Sequence, residues 1–136
     1  MKNLILKQKG ITFIGLCFIL AFLALVVTFV LRAFPLYNEK FQVTAAINSV
    51  VSRPDATSLS EADVRKYFLR NIAVSNVTRF KDANVKEYVE VIKPEKKGGV
   101  KMMHVKYEAR NVLYGDIYLL MAFEKKVPLR GPSTGE

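Results

Sequence analysis

An uncharged apolar run near the start of the chain limits its fold more than any other feature. Residues 11–31 read ITFIGLCFILAFLALVVTFVL, twenty-one residues without a charged side chain. A helix of this length spans about 30 Å, the thickness of a bilayer's hydrocarbon core. A small domain cannot bury a helix that is apolar all round. The run predicts a transmembrane helix over residues 11–32, since the apolar part of a cleavable signal is usually only about 7–15 residues long.

The charges beside this run predict the direction in which it crosses the membrane. Residues 1–10 form a basic tail with Lys2, Lys7 and Lys9 and no acid, whereas the other side offers Arg32 and Lys40 within a similar distance. Because basic flanks tend to stay in the cytoplasm, we expect a cytoplasmic N-terminus. The sequence therefore predicts a single-pass membrane protein whose residues from about 33 onward lie outside the cytoplasm, which in a bacterium means the periplasm.

The remainder of the chain is basic. The whole chain has a net charge of +9. After the apolar run, eighteen basic residues outnumber the twelve acidic residues of the chain, all of which lie in this part. Such a surplus favours anionic partners without specifying one. The turn-like stretch around Gly98 and Gly99 has the highest density of lysines, so the candidate contacts for an anionic partner are Lys93, Lys96, Lys97 and Lys101. Charged loops of this kind are usually only solvated, which is the simpler interpretation.

Two helical patterns follow the apolar run. After Pro35, apolar residues recur at helical spacing, which predicts a helix that either starts there or continues the span with a kink. Its members are Leu36, Val43, Ile47 and Val50, with Tyr37, Phe41 and Ala45 alongside. Ser58 or Ser60 caps a second helix, because each has an acid three residues later. The apolar stripe of that helix is Val64, Tyr67, Phe68 and Ile72.

The period then changes to that of strands. Residues 85–93, 100–112 and 117–126 predict three strands in an antiparallel meander covered by the helices on one face. In the second strand, Met103, Val105, Tyr107 and Ala109 alternate with His104, Lys106, Glu108 and Arg110. The predicted fold class is therefore α+β, with an extracytoplasmic domain over residues 33–127 and a disordered tail over residues 128–136.

Little in the sequence indicates catalysis. His104 is the only histidine, and its place among lysine and arginine on a polar strand face suits an exposed residue. Cys17 is the only cysteine and lies at membrane depth, so no intrachain disulfide and no multi-cysteine metal site can form. A phosphate-binding loop motif is lacking. We expect no enzymatic activity, no metal and no cofactor.

The beginning of the chain resembles a type IV prepilin leader, in which a basic tail and a glycine precede an apolar helix. The residues that carry this resemblance are Lys9, Gly10, Ile11, Thr12, Ile14 and Leu16. It implies peptidase cleavage between Gly10 and Ile11. Gly15 departs from the pattern, because pilins usually have a glutamate there that pairs with a neighbouring subunit's amino terminus. A chain with Gly15 lacks the carboxylate that this pairing uses in the usual pilin assembly.

Over nearly its whole length the chain is similar to an uncharacterised family of small proteobacterial membrane proteins, a domain of unknown function often encoded beside signal peptidase I. The residues that carry the similarity are Lys9 to Leu16, Phe34 to Tyr37, Val105 to Glu108, Phe123 and Glu124. The resemblance implies an inner-membrane location and no known activity.

Two functions fit these features. The first is a membrane-anchored interaction protein whose basic domain docks on a partner protein or envelope component. The alternative is a pilin-like or pseudopilin-like subunit processed after Gly10, which assembles through its apolar helix and binds DNA through its basic surface. The expected partners are the lipid bilayer and a protein, with nucleic acid as the weaker alternative. Oligomeric state stays open.

Overall fold

Three helices and a three-stranded antiparallel sheet make up residues 12–131, the part of the chain that this computed structural model describes. The helices are α1 (Phe13–Val51), α2 (Glu61–Ala73) and the single turn α3 (Val85–Tyr88). The strands are β1 (Val89–Ile92), β2 (Met102–Tyr114) and β3 (Ile117–Pro128), in the order β1-β2-β3. The prediction of an α+β fold with an antiparallel meander is confirmed.

α1 is one helix of 39 residues that passes through Pro35 without ending. It begins at Thr12, whose side chain accepts a hydrogen bond from the Gly15 backbone N–H. Proline has no backbone N–H and crowds the carbonyl groups of the preceding turn. Asn111 of β2 donates its side-chain N–H to the Arg32 carbonyl in that turn, at 2.7 Å. Of the two predicted alternatives, continuation of the apolar helix is the observed one.

The two halves of α1 have different surroundings. The first half is exposed along its length, and α1 is apolar and long enough to cross a membrane. The second half packs on the sheet through the predicted core residues Leu36, Val43, Ile47 and Val50, which are all buried. Ala46 is buried with them, whereas Ala45, which was predicted beside this face, is exposed. Tyr37 and Phe41, predicted to widen this apolar face, are 59% and 69% exposed instead. They lie on a different side of the helix, because a helix turns about 100° per residue.

α2 packs across α1 and begins with a capping box. The Ser60 hydroxyl accepts from the Asp63 backbone N–H, and the Asp63 carboxylate accepts from the Ser60 N–H. Val64, Phe68 and Ile72 are buried, as the stripe predicts. Tyr67 is only partly buried, and the Arg53 guanidinium lies 3.8 Å from the centre of its ring.

The first predicted strand, residues 85–93, is half wrong. Its first four residues form α3, and only Val89–Ile92 pair with β2. The Asn84 side chain accepts from the Lys81 N–H and donates to the Arg79 carbonyl, which closes the preceding turn and directs the chain into a helical turn. Local hydrogen bonds from an asparagine side chain override the strand preference of Val85 and Tyr88 here.

β2 and β3 form a long hairpin that turns at Gly115. Tyr107 pairs with Phe123 and Ala109 with Met121, so these residues share the inner face that packs on α1. Gly115 has a φ of 53°, a left-handed conformation that glycine adopts without a steric cost. The alternation predicted for β2 is confirmed, since Met103, Val105, Tyr107 and Ala109 are all buried.

Aromatic rings join the helices to the sheet in the core. Phe80 makes edge-to-face contacts with Phe68, Tyr88 and Tyr107, at centroid distances of 5.3, 5.6 and 5.2 Å. Tyr107 also packs on Phe123, at 5.2 Å. Edge-to-face arrangements of this kind stabilise a core beyond the area that they bury.

The ordered domain extends past the predicted boundary at residue 127. β3 continues to Pro128, and Leu129 is fully buried, with its backbone N–H donating to the Lys101 carbonyl at 2.8 Å. The prediction of a disordered tail from Pro128 is therefore wrong for these residues. A single buried leucine with one backbone hydrogen bond is enough to attach the segment, and composition alone does not show this. Residues 132–136 lie outside the described part.

Candidate interaction surface

The four lysines predicted to contact an anionic partner do not form one free patch. Lys101 donates to the Leu59 carbonyl at 3.0 Å and is partly buried, so its charge stabilises the connection before α2. Lys93 lies 3.8 Å from the Glu61 carboxylate. Lys96 and Lys97 are exposed in the β1–β2 loop. Of the predicted set, only the side chains of Lys96 and Lys97 make neither an ion pair nor a hydrogen bond with the described residues.

The β1–β2 loop also lies at the end of the sheet away from the apolar half of α1. β2 runs from Met102 beside this loop to Tyr114 at the other end, and Asn111 contacts Arg32 of α1. The nine strand steps from Met102 to Asn111, which lies at the level of Arg32, cover about 30 Å. This distance separates the loop from the apolar half of α1, so Lys96 and Lys97 are candidates for a partner other than a bilayer around that half.

His104 belongs to a small charged cluster on the outer face of the sheet. Its Nε2 lies 2.9 Å from the Glu124 carboxylate and its Nδ1 lies 3.9 Å from Glu90. The hydrogen bond from His104 lowers the pKa of Glu124, and the neighbouring charges of Lys106 and Lys126 act in the same direction. Across residues 12–131 no group of three or more histidine, cysteine, aspartate or glutamate residues is placed to hold a metal ion. The cluster is a cross-strand hydrogen bond between the His104 ring and the Glu124 carboxylate.

A groove between α1 and β3 is the feature best suited to bind a partner. One part is a cavity of about 490 Å³ whose lining residues are Lys40, Phe41, Thr44 and Met121–Lys125. A second cavity of about 320 Å³ adjoins it towards the apolar half of α1 and is lined by Phe29, Ala33, Leu36, Tyr37, Lys40 and Leu119–Met121. Lys40 and Met121 line both. We call this surface the α1–β3 groove.

The groove runs along the free backbone edge of β3. Five consecutive residues, Met121 to Lys125, line its larger part, which places the groove along the strand and not over one face of it. Within residues 12–131 no strand pairs with the edge of β3 opposite β2. An unpaired edge presents a row of N–H and C=O groups that can accept an added strand.

The charge of the groove is positive. Lys40 and Lys125 lie at its wall, and no acid of α1 lines it. Glu39, the neighbour of Lys40, pairs instead with Arg79 at 2.7 Å and lines a different cavity. Glu124 is engaged by His104. The groove therefore offers apolar surface, open backbone groups and two cations to an extended peptide.

Sequence reasoning missed this groove, although a signal for it exists. Tyr37 and Phe41 lie four residues apart, with Lys40 and Thr44 at the same spacing. They follow helical spacing on a side of α1 offset from the core stripe, and a second apolar stripe on a helix that already has a core face indicates a surface for a partner. The other predicted site, Gly10 and Ile11, lies outside the described residues.

The fold and the groove together define a class, a small α+β domain carried on a long apolar helix with an open sheet edge. The chain belongs to the family described as "Domain of unknown function (DUF4845)", which matches residues 32–123. The match starts at Arg32, directly after the apolar run, and ends at Phe123 within β3. Neither the curated proteins nor the solved structures gave a match.

Proposed function

We propose that this protein is a non-enzymatic docking protein of the bacterial inner membrane, in which α1 is the anchor and the α1–β3 groove binds an extended segment of a partner protein. The observation that carries the proposal is the free edge of β3 beside exposed aromatic side chains. Strand addition uses such an edge for affinity and neighbouring pockets for specificity.

The groove supports a particular mode of binding. An added strand beside Met121–Lys125 satisfies backbone groups that are otherwise left to water, and it covers Phe41 at the same time. Exposed aromatic residues are enriched at the centres of protein interfaces. Five strand positions give an interface for a short peptide segment, and the expected affinity is that of a transient complex.

Charge indicates the composition of the segment. Lys40 and Lys125 line the groove and the whole domain is basic, so an extended segment with acidic residues interspersed among apolar ones fits best. Complementary charges accelerate association and exclude unsuitable partners more than they add affinity. Nucleic acid fits this surface less well, since no row of cations follows the groove.

Membrane anchoring supports the same function. The first half of α1 is exposed and apolar, and the positive charges before it favour a cytoplasmic N-terminus. Such an anchor keeps the groove close to the periplasmic surface of the bilayer, where it meets the flexible segments of other membrane proteins.

A crosslinking experiment in the cells that make the protein tests the docking surface. A photoreactive phenylalanine analogue replaces Phe41 in the groove. In the control the same analogue replaces Val74, which is 88% exposed directly after α2. We expect adducts from position 41 that map to an extended periplasmic segment of one partner protein. The variant with Lys40→Glu and Lys125→Glu should reduce them about tenfold, equivalent to about 1.4 kcal/mol. The variant Lys66→Glu on the exposed side of α2 is the charge control.

Two results would contradict the proposed docking. Adducts from position 41 that are no more abundant than those from position 74 would mean that the groove is only solvated. If the groove variant and the Lys66→Glu control reduce the adducts equally, the general charge of the domain attracts the partner and the groove does not.

One observation favours the pilin-like alternative as a second candidate. α1 is continuous from Phe13 to Val51, with an exposed apolar half and a half packed on an antiparallel meander, which is the broad architecture of pilins. In this function the chain is cleaved between Gly10 and Ile11 and packs its apolar half against other subunits. The intact mass of the protein from native membranes separates the two functions, because only the pilin-like subunit lacks residues 1–10.

A further inference from the structure

The turn of the β2–β3 hairpin carries an apolar cluster that the domain leaves uncovered. Pairing of β1 with β2 extends only to Val105, so residues 106–124 form a two-stranded ribbon. The exposed apolar side chains at its end, which we call the tip cluster, are Val112, Tyr114, Ile117, Tyr118 and Leu120, with exposed fractions from 40% to 82%. Asp116, at the turn, is the only charged residue from Asn111 to Ala122. An apolar end on a basic domain indicates a binding surface.

The tip cluster lies beside the apolar half of α1. Leu113 and Tyr114 share one cavity with a stretch of that helix, whose lining residues are Ala24, Leu25, Thr28 and Phe29. Above this cavity, Asn111 donates to the Arg32 carbonyl. The rise of the helix and the rise of the strand give similar distances between the level of Arg32 and the tip. Helix α1 covers about 12 Å from Arg32 to Ala24, and the strand covers about 10 Å from Asn111 to Tyr114.

The charges of the ribbon change at the level of Arg32. On the outer face, Val112 is opposite Tyr118 nearest the turn, and Arg110 is opposite Leu120 at the next level. Farther from the turn this face carries the acidic residues Glu108 and Glu124. The face therefore passes from apolar to cationic to mixed charge within about four residues. A protein surface that dips into one leaflet of a bilayer has this order of apolar, cationic and mixed residues, since cations favour the headgroup phosphates.

Backbone chemistry limits how deep the tip can lie. The edges of a two-stranded ribbon have unpaired N–H and C=O groups, which hydrocarbon does not tolerate, and the Asp116 carboxylate has the same requirement for water. Tyrosine is enriched at the boundary between headgroups and hydrocarbon. The headgroup layer is about 5–7 Å thick on each side. With Arg32 among the phosphates, the tip then lies within roughly one helical turn of that boundary.

We propose that the tip cluster inserts into the outer leaflet of the bilayer that α1 crosses, with lipid acyl chains as its ligand and Arg110 at the phosphates. This inference rests on the proposed anchoring of α1, and it does not depend on a partner in the α1–β3 groove. Insertion gives the domain a second attachment beside α1. It fixes the rotation of the domain about the helix and holds the α1–β3 groove at a set height above the bilayer.

Tryptophan fluorescence in vesicles tests this insertion directly, because the chain contains no tryptophan. The full chain is reconstituted in vesicles of phosphatidylethanolamine and phosphatidylglycerol that contain lipids brominated near the carbonyl or deep in the acyl chain. Three variants each carry one tryptophan: Tyr114→Trp in the tip cluster, Phe22→Trp in the span, and Lys96→Trp in the β1–β2 loop. Bromine quenches tryptophan only at short range, so each variant reports its own depth.

We expect shallow bromines to quench Tyr114→Trp severalfold more than Lys96→Trp, with blue-shifted emission, and deep bromines to quench Phe22→Trp most. Unquenched, red-shifted emission from Tyr114→Trp would overturn the insertion, because the tip would lie in water. Unquenched but blue-shifted emission would overturn it too, because protein would cover the tip. Absence of quenching at Phe22→Trp would refute the anchor itself, which distinguishes failure of the proposed function from failure of this inference.

Discussion

Ile47 and Phe41 lie on the same helix, but Ile47 belongs to the core of the domain and Phe41 to its proposed docking surface. Substitutions at these two positions therefore test the core and the docking surface independently. Ile47 is fully buried, whereas Phe41 is 69% exposed and lines the α1–β3 groove. Ile47→Ala removes three buried carbon atoms, a transfer loss of about 2.4 kcal/mol. The cavity left behind brings the expected loss of unfolding free energy to about 2–5 kcal/mol. Phe41→Ala is expected to change it by less than about 0.5 kcal/mol, because the side chain faces solvent.

The loss expected for Ile47→Ala is large relative to the stability of a small domain. A domain of roughly one hundred residues has an unfolding free energy of about 5–15 kcal/mol. A loss of 3 kcal/mol lowers the melting temperature by roughly 12–24 °C at this size. Ile47→Ala is thus expected to unfold at a temperature well below that of the unsubstituted chain, while Phe41→Ala keeps its melting temperature.

Near-ultraviolet circular dichroism of the full chain in detergent micelles is the suitable assay. Its signal comes from the tyrosines, five of which lie in or near the α+β domain's sheet and α2, whereas far-ultraviolet signal also counts the micelle-stabilised half of α1. A drop of less than about 3 °C for Ile47→Ala would refute the packing of α1 on the sheet. An equal drop for both variants would refute the assignment of Phe41 to a surface free for docking.

Three further outcomes follow from the structure. Tyr107→Phe should leave the melting temperature unchanged or raise it, because the Tyr107 hydroxyl is buried and no described group forms a hydrogen bond with it. The same burial raises the pKa of Tyr107. A clear drop in melting temperature would reveal a hydrogen bond to this hydroxyl. Because the pKa of Glu124 is lowered in the folded state, the stability from its bond to His104 is present above about pH 4.5 and is lost as pH falls below it. Glu124→Gln should flatten that acid-side decline, and an unchanged pH profile would contradict the pairing. The docking function predicts a full-length mass in native membranes, and loss of residues 1–10 would favour the pilin-like subunit.

Periodicity predicted the parts of the fold in which one physical effect dominates. The apolar run of α1, the Ser60 cap and the alternation of β2 each follow from local sequence, since burial and capping act at fixed spacing. α3 was missed because the Asn84 side chain bonds to Lys81 and Arg79, a preference that the strand-forming residues after it conceal. Leu129 was missed because its burial depends on contacts from distant parts of the chain.

The candidate site depended more strongly on tertiary structure. Lys101 reads as one more cation in a basic loop, yet the fold brings its ammonium group to the Leu59 carbonyl, 42 residues away in sequence. The α1–β3 groove requires knowledge that β3 is an edge strand and that α1 lies beside it. Sequence shows apolar side chains at Tyr37 and Phe41, but only the structure shows that the core does not use them.

Cysteine accessibility tests whether α1 crosses the inner membrane and places the domain in the periplasm. Cys17 is the only cysteine, so Cys17→Ser combined with Lys97→Cys leaves one thiol in the exposed β1–β2 loop. A membrane-impermeant maleimide should label this thiol in cells whose outer membrane alone is permeable, and the protein should stay in the membrane fraction after an alkaline wash. Labelling only after the inner membrane is opened would place the domain in the cytoplasm, and release by the wash would show that α1 is not a membrane anchor.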